Sequence, residues 1–379
     1  MIAFRRWLPW LGLVVALAGC GGSAASQAAP SAGAASPSAG ATSVAAKPGA
    51  SSASAAAKPS GAPASAVAKP SGSAAPAISV APGKFNFAYT QVSATFLPLF
   101  FAQDAGLFQK NGLDVAITLT QSAPGMAALL SGQIEMSVIG GTELVNAASQ
   151  GGDVVALANI VPVYPYVFEV QPDIKSGADL KGKRVGITQF GSTIDVATRV
   201  ALSQVGLTAN DVNIIQLSSL SARTEALLNG SLAAGMSNPP DSLTLEAKGL
   251  HPLVDLAASG APATSALIVS RKSWVASHHD QTQEAIDSLI QAIARMKVDE
   301  PQTIASLKKW LKYDDENGLK ATYDFYTKSV FPALPYAKAE QFKDILANST
   351  DPKVKSFDPN TAIDSSFVKS AQDRGVQKA

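Results

Sequence analysis

Four short segments carry small polar residues and glycine directly after predicted strands, an arrangement that binds small ligands through hydrogen bonds. Hydroxyl, amide and backbone N–H groups dominate these segments, and they contain no lysine or arginine. We expect an all-neutral donor set to bind a small anion, a zwitterion or an uncharged heterocycle, because a phosphate-dense ligand would favour an arginine clamp. The candidate residues are Thr90, Gln91, Ser93 and Thr95, then Gly140, Gly141 and Thr142, then Gly191, Ser192 and Thr193, and finally Asn238.

Each candidate also has a purely structural interpretation. Gly191–Thr193 lies between a strand and a helix, so its N–H groups extend from the positive end of the helix. The same serine and threonine could instead form an ordinary N-cap, worth about 1 kcal/mol of helix stability. Gly140–Thr142 has the same context, and its alternative is a tight turn with a capping threonine. Asn238 could bind a ligand or only form a turn before Pro239. Tyr164 could stack on a ligand or pack at a hinge.

Other reactive side chains give no sign of catalysis or of a metal centre. His251 is isolated, and the adjacent His278 and His279 would point to different faces of a helix, with no acidic or cysteine cluster beside them. We therefore expect no catalytic residue, no metal and no cofactor. Arg199 and Arg223 fall within predicted helices, where solvated or salt-bridged faces are the default expectation.

Alternating strand and helix patterns position these loops. Phe85–Gly141 gives strand, helix, strand, helix, strand, and a second such unit begins at Lys183. From Ser273 onward the pattern becomes helical. The predicted fold class is therefore α/β, with two open sheets and a helical C-terminal tail.

Three stretches of this sequence resemble a known family: PLFFAQDAGLFQKNGLDVAITL, ALLSGQIEMSVIG and LKGKRVGI followed by GST. They resemble solute-binding proteins of ABC importers, of the nitrate/sulfonate/taurine type, which are similar to thiamine-pyrimidine-precursor (NMT1-like) binding proteins. The resemblance implies a type II periplasmic-binding-protein fold over residues 84–376, in which the chain crosses between two lobes near Glu169–Asp173 and Ser265–Arg271. The first lobe would comprise about 84–170 plus 272–376, and the second about 174–264.

The N-terminal fifth of the chain predicts export and membrane anchoring. Residues 1–20 have two arginines, a short apolar core and Leu17-Ala18-Gly19-Cys20, which matches a bacterial lipobox. Lipidation of Cys20 would anchor the protein outside the cytoplasm; the alternative is a plain secretory signal with an incidental cysteine. Residues 21–83 are almost wholly Ala, Ser, Pro, Gly and Lys, which predicts a disordered tether.

These features together predict a monomeric, lipid-anchored binding protein that delivers a small molecule to an ABC permease and ATPase. A net charge of +1 gives no reason to expect nucleic acid. A ligand-sensing ectodomain remains an alternative. An enzyme similar to pyrimidine-precursor synthases is disfavoured, because those enzymes use a site lysine, a histidine and a cysteine-rich iron motif, whereas this chain has one cysteine.

Overall fold

The computed structural model describes residues 81, 83–217 and 219–378. The predicted signal peptide, the lipobox with Cys20 and nearly all of the predicted tether lie outside these residues.

The first lobe is built on a five-stranded mixed sheet in the order β2-β1-β3-β10-β4. Strands β1, β2 and β3 are parallel, whereas β10 runs antiparallel to β3 and β4. Because β1, β2 and β3 are parallel, the loops that follow them emerge at one edge of this sheet. The strands are β1 (Phe85–Tyr89), β2 (Val115–Leu119), β3 (Met136–Ile139), β4 (Val155–Val163) and β10 (Pro262–Ser270).

The second lobe repeats this plan in a sheet of order β7-β6-β8-β5-β9. Here β6 is parallel to both β7 and β8, and β5 is antiparallel to β8 and β9. Its strands are β5 (Val167–Val170), β6 (Arg184–Ile187), β7 (Asn213–Gln216), β8 (Ala234–Ser237) and β9 (His251–Asp255). The two sheets confirm the predicted α/β class with one open sheet in each lobe.

Helices flank both sheets and form the C-terminal region. Between the strands lie α1 (Leu97–Asp104), α2 (Leu107–Lys110), α3 (Ser122–Ser131), α4 (Gly141–Ser149), α5 (Thr193–Gln204), α6 (Leu220–Leu228), α7 (Asp241–Ala247) and α8 (Leu256–Ser259). After β10 come α9 (Lys272–Ser277), α10 (His279–Met296), α11 (Glu300–Leu311), α12 (Glu316–Phe325), α13 (Lys343–Asn348), α14 (Pro352–Lys355) and α15 (Ser366–Asp373). A π-helical segment, Tyr326–Val330, extends α12.

The chain crosses between the lobes at other positions than those predicted. Glu169 lies in β5, inside the second sheet, and Ser265–Ser270 lies in β10, inside the first sheet. The crossings are therefore the segments 164–166 and 260–261, and Val163 pairs with Pro262 beside them. The expected crossings at Glu169–Asp173 and Ser265–Arg271 were wrong, because an extended apolar pattern does not distinguish a crossing from a buried antiparallel strand.

The long apolar run after β1 forms two helices instead of the single predicted one. Gly106 adopts a positive φ of 64° between α1 and α2, a conformation that favours glycine. Ser93 precedes the first turn and caps it, because its side chain accepts a hydrogen bond from Thr95 N. The turn thereby places the 90–95 loop at the carboxyl edge of the first sheet.

No helix among the described residues is both long enough and apolar enough to span a bilayer.

Candidate functional site

A cleft of about 1000 Å³ lies where the carboxyl ends of the parallel strands of the two lobes face each other. The first lobe contributes the loops after β1 and β2, and the second contributes the loops after β6, β7 and β8. Threonine, serine and glutamine side chains form much of the wall, with leucine, proline and Tyr313 between them. This mixture of neutral hydrogen-bonding groups and apolar surface is typical of a small-molecule site.

Three of the predicted site residues lie in this wall, and the others lie elsewhere. The structure places Thr90, Gln91 and Ser93 in the cleft lining. The wall also contains polar residues that were not predicted from the sequence, which include Thr120, Ser122, Thr188, Gln189, Gln216, Ser219 and Ser221. These residues lie at or shortly after the ends of strands, a position that the sequence indicates. Small polar residues at such positions are too common in α/β proteins for the sequence alone to select these.

Asn238 lies beneath the cleft in a buried hydrogen-bond network that joins the lobes. Its side-chain amide donates to Ser93 Oγ at 3.2 Å and to the Tyr326 hydroxyl. Thr95 Oγ1 lies 3.2 Å from the same tyrosine hydroxyl and also accepts from Ser93 Oγ. Asn238 belongs to the second lobe and its partners to the first, so this network forms only when the lobes are together.

Tyr326 was missed because nothing in the sequence connects it with the loops. It lies in the π-helical segment, more than 200 residues from Thr95, and is fully buried. Burial raises the pKa of its hydroxyl to about 12, so it remains a neutral donor and acceptor.

The two glycine-rich loops meet each other directly rather than lining the large cleft. A Cβ added to Gly140 would overlap Thr193 Oγ1 in the opposite lobe and would stand 2.8 Å from Glu143 Oε2. Thr142 and Gly191 line a smaller depression of about 310 Å³ nearby. Gly140–Thr142 and Gly191–Thr193 therefore form an interlobe contact, and their binding of a ligand stays a prediction.

Local hydrogen bonds account for much of the Gly191–Thr193 loop. Gly191 N donates to Asp195 Oδ2 at 2.8 Å, and Ser192 Oγ accepts from Asp195 N at 3.4 Å. Asp195 also pairs with Arg199 at 3.0 Å, as expected of a salt-bridged helix face. These contacts favour the N-cap interpretation of Ser192.

Glu143 brings a half-buried carboxyl group to this interlobe contact. It lies in the first turn of α4, and its Oε2 is buried without a hydrogen-bond partner. Burial raises its pKa to about 7, and a hydrogen bond with the Ser122 side chain opposes that rise.

Tyr164 lies in the first crossing, as its hinge interpretation required. It is buried, and its hydroxyl donates to Asp344 Oδ2 in α13 at 3.2 Å. Burial raises the pKa of this hydroxyl. Tyr164 is not among the described residues that line the large cleft.

Arg223 lies in a different environment from the solvated or salt-bridged helix face expected for it. This side chain is 1% exposed, and its Nε and Nη1 atoms have no hydrogen-bond partner. The expected solvated or salt-bridged face was therefore wrong at Arg223, because the helix α6 turns that position toward the sheet. Burial lowers the pKa of its guanidinium to about 10.

In the part of the chain that the structure describes, no group of three His, Cys, Asp or Glu side chains is arranged to hold a metal ion.

Comparison with known proteins identifies one family and several relatives. The family model described as NMT1/THI5 like matches residues 93–303. A protein of Brucella abortus strain 2308, named as a binding protein, is 34% identical over 117 residues, which cover 31% of this chain and 36% of the relative. The 4-amino-5-hydroxymethyl-2-methylpyrimidine phosphate synthase of Schizosaccharomyces pombe is 26% identical over 144 residues, covering 37% of this chain and 40% of the enzyme. The chain thus spans little more than a third of the length of these curated relatives.

Solved structures with the same fold cover most of the chain. The periplasmic aliphatic sulphonate-binding protein SsuA of Escherichia coli is 21% identical, with a TM-score of 0.59 over 76% of this chain and 92% of SsuA. The periplasmic nitrate-binding protein NrtA of Synechocystis PCC 6803 is 14% identical, with a TM-score of 0.62 over 78% of this chain and 90% of NrtA. At these identities the likeness establishes the periplasmic-binding-protein fold, as predicted.

Proposed function

Because the chain belongs to the NMT1/THI5 like family, we propose that it is the solute-binding component of an ABC importer. It captures a small organic or oxyanion ligand between its lobes and delivers that ligand to a permease. The candidates are a sulfonate, nitrate, taurine or a pyrimidine-like compound. The names of its relatives and structural neighbours, which include binding proteins for sulfonate and nitrate, support this range.

The observation that carries the proposal is a cleft whose walls come from both lobes. Neutral donors from the loops after β1 and β2 face those after β6, β7 and β8 across about 1000 Å³. Among the described residues, the chain passes between the lobes at two short segments, so a hinge motion can open and close this cleft. A ligand that contacts both walls favours the closed state.

A ligand screen by thermal denaturation tests the proposal. A ligand at a hundred times its dissociation constant stabilises the folded protein by about 2.7 kcal/mol, which is readily measured. We expect stabilisation by at least one member of a panel of sulfonates, nitrate, taurine and pyrimidines. No stabilisation by any member, with the protein shown to be folded, would count against the proposed function.

We propose that Cys20 anchors the protein to the outer side of a bacterial membrane. The lipobox in the sequence supports this proposal. Cys20→Ala should move the protein from the membrane fraction to the soluble fraction after cell lysis, while its thermal denaturation remains unchanged. Retention of the variant in the membrane pellet would contradict lipid anchoring.

We propose binding without catalysis, although one relative is named as a synthase. Among the described residues, side-chain hydroxyls, amides and one carboxylate are the polar side-chain groups of the cleft wall. Such groups hold a ligand by hydrogen bonds. Incubation of the purified protein with a ligand from the screen should return the ligand unchanged.

A further inference from the structure

One acidic side chain, Asp241, lies in a cleft wall that is otherwise neutral. Among the described residues that line the cleft, Asp241 is the one with a charged side chain. It begins α7, directly after Pro239 and Pro240, and is half-buried. Its neighbours in the wall include Pro239, Pro240 and the serines that begin α6. A carboxylate in such a place supplies only acceptor oxygens, which need donors.

The protein itself supplies few donors to this carboxylate. Thr224 Oγ1 donates to Asp241 Oδ1 at 3.5 Å, which is the limit of a hydrogen bond. Asp241 makes no salt bridge within 4 Å in the described part of the chain. The acceptor capacity of a half-buried carboxylate is thus left open toward the cleft, where a ligand could use it.

Arg223 is a buried cation whose positive charge acts on this carboxylate. Its aliphatic stem packs over two glycines in adjacent strands, since a Cβ added to Gly186 or Gly235 would stand 3.3 Å from it. These glycines therefore make room for a buried arginine beneath the cleft. Burial raises the pKa of Asp241, whereas the positive charge of Arg223 and the Thr224 hydroxyl lower it.

Resting on the proposed function, we propose that Asp241 selects ligands that carry a cationic N–H group, a protonated amine or an amidine. The ammonium or amidinium of the ligand donates to the open carboxylate oxygens. The hydroxyls and amides of the opposite wall bind the remaining polar groups of the ligand. A zwitterion can bind to both walls, with its cationic group at Asp241 and its anionic group at the hydroxyls and amides opposite. A ligand that carries only negative charge is repelled by the Asp241 carboxylate.

Two pairs of compounds, matched except for the cationic group, measure what that group contributes to affinity. Taurine and isethionate share a sulfonate and differ in an ammonium versus a hydroxyl, and benzamidine and benzamide differ in charge on the same ring. Affinities are measured by calorimetry on the full chain and on Asp241→Asn, which keeps the size of the side chain. Glu225→Gln is the control, because it removes one negative charge from the exposed face of α6.

The full chain should bind the cationic member of at least one pair about tenfold or more tightly than its partner, as expected of a charged hydrogen bond. Asp241→Asn should abolish that preference, and Glu225→Gln should preserve it. Equal or tighter binding of isethionate and benzamide, or an unchanged preference in Asp241→Asn, would overturn the inference while leaving the proposed function intact. Failure of both cationic probes to bind would also overturn it.

Discussion

Gly140→Ala is expected to leave both lobes folded and to weaken ligand binding by about five- to 150-fold, the range that corresponds to about 1–3 kcal/mol. The added methyl group would overlap Thr193 Oγ1 of the opposite lobe when the lobes meet. In an open protein that methyl group faces no such obstacle. The substitution therefore acts on closure and not on the fold of either lobe.

The backbone at Gly140 allows this substitution to act by sterics alone. Its φ of −72° and ψ of 158° are ordinary extended values that alanine adopts without strain. Glu143 Oε2, the second close atom, lies at the end of a flexible side chain that can move aside. Thermal denaturation without ligand should thus match that of the unsubstituted protein.

A second substitution should reverse the effect. Thr193→Ala removes the Oγ1 atom and leaves Thr193 Cβ, which would lie 3.5 Å from the new methyl group, an ordinary contact. In calorimetry, Gly140→Ala with Thr193→Ala should therefore bind nearly as tightly as Thr193→Ala alone, because the clash is absent from both variants. Additive losses in the double variant would contradict an interlobe contact at this position.

Asn238→Ala is expected to reduce ligand affinity by about the same factor as Gly140→Ala, but through lost hydrogen bonds and not through a steric clash. The substitution removes both donors of the bridge to Ser93 and Tyr326 and leaves the buried tyrosine hydroxyl with fewer partners. Removing a partner of a buried polar group costs about 1–3 kcal/mol. That cost falls on the closed state, because Asn238 of the second lobe reaches Ser93 and Tyr326 of the first lobe only when the lobes are together.

Asn159→Ala provides the matched control. Asn159 is also a fully buried amide, but its Nδ2 donates to Ala263 O and Gln341 Oε1, both at 2.9 Å and both in the first lobe. This variant should lower the thermal denaturation midpoint with and without ligand by a similar amount. Equal affinity losses in Asn238→Ala and Asn159→Ala would show that the Asn238 bridge has no special role in closure.

The sequence allowed prediction of the elements whose signal is local. The strand and helix pattern that begins at Phe85 predicted the first residue of β1, and the position of Gly191–Thr193 between a strand and a helix predicted the start of α5. The strand-end rule also placed Thr90, Gln91 and Ser93 at the carboxyl edge of the first sheet, where the cleft lies. These inferences depend on neighbours within a few residues, which a single sequence shows.

The remaining features depend on contacts between distant parts of the chain. Tyr326 reaches Asn238 from a C-terminal helix, and Arg223 is buried because two glycines in other strands leave space for it. The crossings were misplaced because β10 returns to the first sheet as an antiparallel strand. None of these contacts leaves a periodic or spacing signal in the sequence.

The distance between the outer edges of the lobes tests most directly whether the lobes close around a ligand. Leu130 in α3 and Leu228 in α6 are 40% and 42% exposed and follow the edge strands β2 and β7, which lie farthest from the crossings in strand order. Cysteines are introduced at both positions in a Cys20→Ala background and carry spin labels. Double electron–electron resonance measures the distance between the two labels. A saturating ligand from the screen should shorten and narrow the distance distribution in the otherwise unsubstituted protein, but not in Gly140→Ala. An unchanged distribution at saturation would contradict ligand binding between closing lobes.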